Sequence, residues 1–262
     1  MAAALTAPQI ARLVASPDRS AADRTTDARR RPEQFLAFIG VRPGMVALDV
    51  SAGGGYTTEL LARAIGPTGA VYGQSRPLTR PAPAPAAPEG ASGTAPPPPS
   101  ASASAAAPRL TSPAALALRE AALRGASVAA APITTVVQPL EQPVPAALAS
   151  AGLDLVTLVY NYHDFGFLGV DRAQLNLALF RALKPGGVYV VVDHSGRPGT
   201  GISEAGTLHR IEAAFARAEI EAAGFRFASE ADFLHNPADP RDQNTPLAAQ
   251  PKDGFVLKFV KP

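Results

Sequence analysis

Residues 45–65 constrain the fold of this chain more than any other stretch. An apolar run over residues 45–50 carries one acid, Asp49, near its end, and a turn with Gly53, Gly54 and Gly55 follows. A helical pattern begins directly after the turn. This order predicts a buried strand, a glycine turn and a helix, which together present backbone N–H groups to a nucleotide-like ligand. Glycine suits such a turn because a Cβ would block close approach and disfavour positive φ angles.

The details of the turn separate two classes of ligand. A dinucleotide-binding turn needs a third glycine, where this chain has Thr58, and an acid at the end of the next strand, where it has Gln74. An acid just before the glycines, as at Asp49, suits a ligand with a cationic amino-acid end. The same acid would repel a pyrophosphate. The pattern therefore favours a cationic, nucleoside-bearing ligand over a dinucleotide.

The turn resembles motif I of class I S-adenosylmethionine-dependent methyltransferases, which reads Asp-x-Gly-x-Gly-x-Gly. Gly53 and Gly55 match its last two glycines, and Ser51 replaces the first. A second stretch, Leu-Lys-Pro-Gly-Gly at residues 183–187 before a valine-rich run, is also frequent in these enzymes. It predicts the end of a helix over residues 172–183, because proline cannot continue a helix and glycine takes the left-handed cap.

Other apolar and helical patterns complete an alternation of strands and helices. Residues 154–160 form a near-continuous apolar run, typical of a buried parallel strand. Asp171 is expected to cap the helix that follows it. The remaining predicted strands are 70–74, 133–140, 188–193, 225–229 and 255–260, and the remaining predicted helices are 113–123 and 208–223.

Residues 16–262 are similar to one branch of this superfamily, a group of predicted bacterial methyltransferases that share several short motifs. The matching stretches are Ser16-Pro17-Asp18-Arg19, Asn161-Tyr162-His163-Asp164, Asp193-His194-Ser195, Leu208-His209-Arg210-Ile211 and Asn236-Pro237-Ala238-Asp239. The resemblance implies an α/β, Rossmann-like fold with a seven-stranded, mostly parallel sheet, an antiparallel last strand and helices on both faces. We expect residues 1–44 to form a helical segment that packs on the core, and residues 45–262 to form the methyltransferase-like domain.

A segment rich in proline, alanine and serine, residues 77–108, interrupts the predicted domain. It holds ten of the 27 prolines, and its charged residues are Arg80 and Glu89. Such a composition cannot bury enough apolar surface to form a packed core. We therefore predict a disordered surface insertion, with a lid or a partner-binding segment as the alternative. The resemblance places it near the adenosine end of the cofactor site.

Composition favours a domain that binds neither nucleic acid nor a membrane. The 24 Lys and Arg residues exceed the 22 Asp and Glu residues by only two, which is too few to attract a polyanion. No apolar run reaches the length of a membrane span. The absence of cysteine excludes disulfides, thiol catalysis and zinc–thiolate sites. The first residues lack a signal-peptide pattern. We expect a cytoplasmic protein, with the periplasm as the alternative because relatives are often exported.

Histidines and acids follow the predicted strands. His163 and Asp164 follow the fourth strand, His194 follows the fifth, and His209 opens the next predicted helix. Since parallel strands end at one edge of a sheet, we expect these side chains to line a crevice. The leading hypothesis is acid–base catalysis, in which His163 or His194 takes a proton from a hydroxyl or amine. The alternatives are a divalent metal site that also uses His209 and Asp164 or Asp193, and purely structural roles.

The resemblance implies a methyltransferase that acts on an oxygen or nitrogen nucleophile of a small-molecule substrate, with a crevice histidine as general base. It assigns S-adenosylmethionine to Asp49, Ser51, Gly53, Gly55, Tyr56, Gln74, Glu141 and Asn161, and catalysis to His163, Asp164, His194 and His209. Gln74 would replace the acid that binds the ribose hydroxyls. Two alternatives stay open. One is a histidine- or metal-dependent hydrolase or lyase on the same fold, and the other is a non-catalytic binding protein whose cofactor site is eroded at Ser51 and Gln74.

Overall fold

The computed structural model describes residues 2–77, 110–150, 152–244 and 252–262. Apart from Pro77, the insertion predicted at residues 77–108 lies outside the described residues. The strands are β1 (Val46–Val50), β2 (Ala70–Ser75), β3 (Ile133–Val137), β4 (Leu153–Val159), β5 (Leu183–His194), β6 (Arg226–Ala231) and β7 (Gly254–Val260). The helices are α1 (Ala7–Val14), α2 (Ala21–Arg30), α3 (Pro32–Ile39), α4 (Tyr56–Ile65), α5 (Ser112–Gly125), α6 (Tyr162–Phe167), α7 (Arg172–Ala182) and α8 (Ala213–Ala222), with a short 3₁₀ turn at Ala146–Leu148.

The seven strands form one sheet in the order β3-β2-β1-β4-β5-β7-β6. Neighbouring strands from β1 to β5 pair in parallel, and β7 is antiparallel to both β5 and β6. The predicted fold class is therefore confirmed as a Rossmann-like, mostly parallel seven-stranded sheet whose last strand is antiparallel. The order in which strands are added reverses at β1 and β4, because β2 and β3 extend the sheet on one side of β1 and β4 and β5 extend it on the other. A crevice for a ligand is expected at the carboxyl ends of these two strands.

Two apolar cores cover the two faces of the sheet. Leu61 of α4 and Leu155 of β4 lie in one core, and Val156 of β4 and Leu179 of α7 lie in the other. The neighbours Leu155 and Val156 enter opposite cores because side chains alternate across a strand. All four side chains are fully buried, and each such burial contributes about 1.5–3 kcal/mol. The sheet is thus a firm base for the loops at its carboxyl edge. In the described part of the chain, no helix combines the length and apolar character that crossing a membrane requires.

The predicted end of helix α7 is wrong in its capping residue. The helix ends at Ala182, and Leu183 is extended, with φ of −73° and ψ of 143°. Leu183 pairs with Leu153 of β4 and so begins β5. The left-handed glycine of this turn is Gly186, with φ of +75°, which lies three residues further along and does not cap the helix.

Two other predicted boundaries are also wrong. The helix expected from residue 208 begins at Ala213, because His209 is left-handed (φ +51°) and cannot continue a right-handed helix. Ile211 instead forms a bridge with Ser195, which follows β5. Strand β3 ends at Val137 instead of residue 140, shortly before a proline that has no N–H for the ladder.

Ion pairs attach the N-terminal helices to the sheet. Arg19 reaches Asp27 of α2 at 2.6 Å and also donates to the Val14 carbonyl at the end of α1. Asp18 pairs with Arg63 of α4 at 2.6 Å, and the hydrogen bond from Arg63 lowers the pKa of Asp18 to about 2. The Ser-Pro-Asp-Arg motif therefore joins α1 and α2 to each other and to α4.

Arg119 of α5 is the centre of a second group of ion pairs. Its guanidinium lies 2.8 Å from Asp23 of α2 and 2.5 Å from Glu59 of α4. Its Nε donates a hydrogen bond to the carbonyl of Gly54. One side chain thus holds α2, α4 and the glycine turn together.

A buried ion pair accounts for the Asn-Pro-x-Asp motif at residues 236–239. Arg210 has no exposed surface and donates to both carboxylate oxygens of Asp239, at 2.9 and 3.2 Å. Asp239 also accepts from the backbone N–H of Asp253 at 2.6 Å, directly before β7. This ion pair fixes the segment before α8 to the start of β7. Removing one partner of such a buried pair typically costs about 3–5 kcal/mol.

Candidate active site

The turn after β1 is left-handed at three positions. Ser51, Gly53 and Gly55 have φ of +55°, +54° and +77°. A Cβ at Gly55 would lie 2.8 Å from both Leu116 Cδ2 and Arg119 Cδ, which is closer than real Cβ contacts. Glycine is therefore required at position 55 both by its φ angle and by the packing of α5.

Asp49 supports the turn from below. Its carboxylate is buried and accepts hydrogen bonds from Thr58 Oγ1 at 2.6 Å and from Thr157 Oγ1 at 2.8 Å. Burial raises the pKa of Asp49 to about 6, although the two hydroxyls act in the opposite direction. These bonds join β1 to α4 and to β4. The carboxylate does not line the cavity described below, so any effect on a ligand passes through the turn.

Gln74 is also used within the protein. It is fully buried, accepts from the Ser51 backbone N–H at 2.9 Å and donates to the Gln138 carbonyl at 2.7 Å. The next residue, Ser75, faces the cavity, and its buried Oγ has no hydrogen-bond partner among the described residues. Of these two residues, Ser75 lines the cavity and Gln74 does not. The alternation of side chains along β2 puts residues 74 and 75 on opposite faces, but it does not say which of them faces the cavity.

A cavity of about 590 Å³ opens at the carboxyl edge of the sheet, within the range of about 300–1,000 Å³ that is usual for small-molecule sites. Among the residues expected from the sequence, it is lined by Ser51, Gly53, Asn161, Asp164 and His209. The wall also contains three groups that were not predicted from the sequence. They are Ser75 at the end of β2 with the following Arg76, Ser112 at the start of α5, and the apolar side chains of Val137, Leu140 and Phe165.

Two residues assigned to the cofactor from the sequence point elsewhere. The Tyr56 hydroxyl donates to Asp27 at 2.6 Å, and its ring lies 5.5 Å from the Arg30 guanidinium of α2. Burial and the neighbouring Asp27 raise the pKa of Tyr56. Glu141 lines a separate surface depression beside Arg181 of α7. Neither side chain is part of the cavity wall.

A chain of acids and imidazoles runs from the core to the cavity. His163 Nδ1 lies 2.6 Å from Asp193 Oδ1, and the His163 backbone N–H donates to Asp193 Oδ2 at 2.8 Å. His163 Nε2 is 3.0 Å from Asp164 Oδ1, and the same oxygen is 3.0 Å from His209 Nδ1. Asp193 and His163 are buried, whereas the side chains of Asp164 and His209 are 30% and 41% exposed.

The two histidines that follow β4 and β5 differ in charge. Burial alone would lower the pKa of His163, but the Asp164 and Asp193 carboxylates raise it to about 9. Burial lowers the pKa of His194 to about 4, against a smaller opposing effect of Asp193. At neutral pH His163 is therefore an imidazolium and His194 is a neutral imidazole, although their ring centroids lie only 6.1 Å apart.

His194 is not part of the cavity wall. Its ring stacks on Tyr160 with the centroids 4.6 Å apart, and its buried Nδ1 has no hydrogen-bond partner among the described residues. The set of potential metal ligands is therefore smaller than the sequence suggested, since it includes neither His194 nor Asp193. In the described chain, the His163, Asp164 and His209 side chains bring one potential ligand atom each within 4.8 Å of one another.

No protein-family model and no curated protein sequence matches the chain, but solved structures do match it. An S-adenosylmethionine-dependent methyltransferase from Aquifex aeolicus has a TM-score of 0.55 over 98% of this chain and 100% of its own, at 14% identity. The methyltransferase partner of the Haloferax volcanii Trm112 activator has a TM-score of 0.53 over 92% of this chain and 93% of its own, at 16% identity.

A third matching structure is of an enzyme named for a reaction other than methyl transfer. The [4+2]-cyclase SpnF has a TM-score of 0.52 over 88% of this chain and 82% of its own, at 14% identity. At these identities the likeness concerns the fold, and this chain has the fold of class I S-adenosylmethionine-dependent methyltransferases. A fold does not determine a reaction, so the function has to be argued from the cavity.

Proposed function

We propose that this chain transfers a methyl group from S-adenosylmethionine to an oxygen or nitrogen atom of a small molecule. The observation that carries the proposal is the cavity at the reversal of strand order, with the left-handed turn on one side and Asp164 and His209 on the other. When bound, the cofactor supplies an electrophilic methyl group on a sulfonium. The protein then has to align the acceptor and remove its proton.

The residues on the β1 and β2 side fit an adenosine-bearing ligand. Gly53 and Ser51 bring the backbone of the turn to the cavity wall. The buried, unpartnered Oγ of Ser75 would be satisfied by a ribose hydroxyl, which relieves the cost of an unmade hydrogen bond. Val137 and Leu140 supply the apolar surface that an adenine ring requires. We propose these residues as the cofactor contacts in place of Gln74 and Glu141.

Asn161 is the proposed contact for the amino-acid end. It lines the cavity, and its Nδ2 donates to the Val159 carbonyl at 3.0 Å. This bond uses the amide donor and leaves Oδ1 to accept a hydrogen bond from an ammonium group. Asp49 would act indirectly, because it holds Thr58 at the start of α4 and so fixes the turn.

His209 is the proposed proton acceptor. A carboxylate only accepts hydrogen bonds, so the contact with Asp164 places a proton on His209 Nδ1 and leaves a lone pair on Nε2. His209 also lines the cavity. His163 is less suited because it is already protonated at neutral pH, and His194 is less suited because its side chain is not part of the cavity wall.

The lack of an acid at the ribose position favours one alternative, a binding protein without catalysis. A methyltransferase binds both S-adenosylmethionine and its product S-adenosylhomocysteine, whereas a scaffold with an eroded site binds neither. Titration calorimetry of the whole chain with S-adenosylhomocysteine separates the two, with micromolar affinity expected. No binding of either compound would overturn the proposal.

A matched pair of variants locates the binding. Val137→Trp places a bulky ring in the cavity wall, and we expect it to weaken binding by about tenfold or more, since it occupies the adenine surface. Leu118→Trp changes an equally exposed apolar residue on α5 that is not part of the wall, and it should leave the affinity unchanged. Binding chains are then incubated with S-adenosylmethionine and a panel of phenols and amines, and S-adenosylhomocysteine formation is measured by mass spectrometry.

A further inference from the structure

Three potential ligand atoms meet at the inner wall of the cavity. His163, Asp164 and His209 offer one atom each, and all three atoms lie within 4.8 Å of one another. Two imidazoles and one carboxylate suit Mn²⁺, Fe²⁺, Co²⁺ or Zn²⁺, whereas Mg²⁺ and Ca²⁺ prefer sites built from oxygen. We propose that these three residues bind a divalent transition-metal or zinc cation.

The buried member of the group is already oriented as a metal ligand would be. Asp193 holds His163 by its Nδ1 and by its backbone N–H. This leaves Nε2 for a ligand. Within the described residues Nε2 makes no hydrogen bond of good geometry, although Asp164 Oδ1 lies 3.0 Å away and His163 is only 2% exposed. Metal-binding histidines usually donate their second ring N–H to a carboxylate in this way. Asp193 is therefore a positioning residue for the site.

The outer members give the site access and open positions. Asp164 and His209 are partly exposed and line the cavity, so a cation can enter from solvent and keep coordination positions for water or a substrate atom. Catalytic metal sites have this arrangement of three protein ligands and an open face.

Cation binding can be measured directly, without an assay of methyl transfer, so this proposal does not depend on the proposed function. If the cation is bound, His209 is a ligand instead of a base. The cation then lowers the pKa of a coordinated acceptor oxygen, which performs the same activation.

The chain supplies its own control for this proposal. His235 Nδ1 lies 2.7 Å from Asp253 Oδ1, so it forms a second histidine–aspartate pair. Arg241 neutralises that aspartate at 2.9 Å, and no third ligand joins the pair within the described residues. His235→Ala removes an imidazole from the chain without touching the proposed site.

The experiment is a titration of chelator-treated whole chain with Co²⁺, followed by visible absorption, and with Zn²⁺, followed by calorimetry. We expect one equivalent of each metal, with Mg²⁺ unable to compete. His209→Ala and Asp164→Asn, both at partly exposed positions, should weaken binding by about tenfold or more, and Asp193→Asn by about 10–100-fold. Circular dichroism checks that each variant folds.

Two results would overturn the metal site. One is the absence of stoichiometric Co²⁺ or Zn²⁺ binding by the intact chain. The other is equal loss of binding in His235→Ala and His209→Ala, which would mean adventitious contact with surface imidazoles. Neither result bears on S-adenosylhomocysteine binding, so the metal proposal and the methyl-transfer proposal can fail separately.

Discussion

The two sides of the cavity use their polar groups in opposite ways. On the β1 and β2 side, Asp49 and Gln74 are buried, and their hydrogen bonds go to other parts of the protein. On the β4 and β5 side, Asp164 and His209 are partly exposed to the cavity, and the buried His163 holds its Nε2 3.0 Å from the Asp164 carboxylate. We call the first side the closed network, because its polar groups bond to other groups of the protein and fix the conformation of the turn. We call the second side the open network, because Asp164 and His209 can also contact a ligand in the cavity.

Because of this difference, we expect the affinity for a ligand to depend on the closed network and the reactivity to depend on the open network. A substitution in the closed network should change the conformation of the turn, and through it the binding of a ligand. A substitution in the open network should change proton transfer or cation binding and leave the turn intact. Variants on the two sides of the cavity test that division.

His209→Ala is expected to lower kcat by about 10²–10⁴-fold, the usual contribution of a general base, and to leave the affinity for S-adenosylhomocysteine unchanged. The reason is that His209 is hydrogen-bonded to Asp164 and, among the described residues, has no hydrogen bond to the turn. Steady-state kinetics with an acceptor from the screen and calorimetry with S-adenosylhomocysteine measure the two effects. An equal loss of affinity and of kcat would break the division, and His235→Ala serves as the control.

Ionisation of Asp49 should lower the free energy of unfolding as the pH rises. The pKa of Asp49 in the folded state is about 6, above the ordinary value of 3.8. Between about pH 4 and 6 the unfolded state therefore loses its proton more readily than the folded state, and the folded state becomes relatively less stable. The cost approaches about 3 kcal/mol at pH 7. Urea unfolding of the wild type and of Asp49→Asn across this range should show a difference that grows with pH. A constant difference would mean that the carboxylate titrates normally.

Gly55→Ala should weaken S-adenosylhomocysteine binding by about tenfold or more. The left-handed φ costs about 1–2 kcal/mol with a Cβ, and that Cβ also meets Leu116 and Arg119. Gly54→Ala is the matched control, because its Cβ would meet no atom within 4 Å. Calorimetry on both variants decides the point, and equal effects at the two positions would count against a specific role of the turn.

Ser75→Asp should tighten S-adenosylhomocysteine binding several-fold, up to about tenfold, because a carboxylate makes stronger hydrogen bonds to ribose hydroxyls than a neutral hydroxyl does. Gln74→Glu should do the reverse, since it removes the donor to Gln138 and buries a charge. The same calorimetric titration compares them. Tighter binding by Gln74→Glu alone would restore the assignment made from the sequence.

The fold was predictable because its signals are local. The glycine turn, the apolar run before Tyr160 and the Lys-Pro-Gly-Gly stretch each mark an element by composition and period. The resemblance supplied the number of strands and the antiparallel last strand, which local patterns cannot give. The boundary at His209 was not predictable in the same way. Its left-handed backbone depends on the bridge between Ile211 and Ser195, which is a contact between distant segments.

The site was predictable in its place but not in its orientations. The rule that parallel strands end at one edge brings Asp164, His163 and His209 near each other. The rule does not say that Gln74 turns inward while Ser75 faces the cavity, or that Tyr160 covers His194. These orientations depend on hydrogen bonds and packing that form only when all the elements are assembled.

The contacts of Arg119 imply a thermodynamic coupling between the turn and the N-terminal helices. The same guanidinium contacts Asp23 of α2, Glu59 of α4 and the Gly54 carbonyl of the turn. By reciprocity, whatever a ligand contributes to ordering the turn must also stabilise α2 against local opening, and loosening α2 must reduce the affinity of the turn for that ligand. The N-terminal segment is therefore energetically part of the binding site, although it contributes no residue to the cavity wall within the described chain.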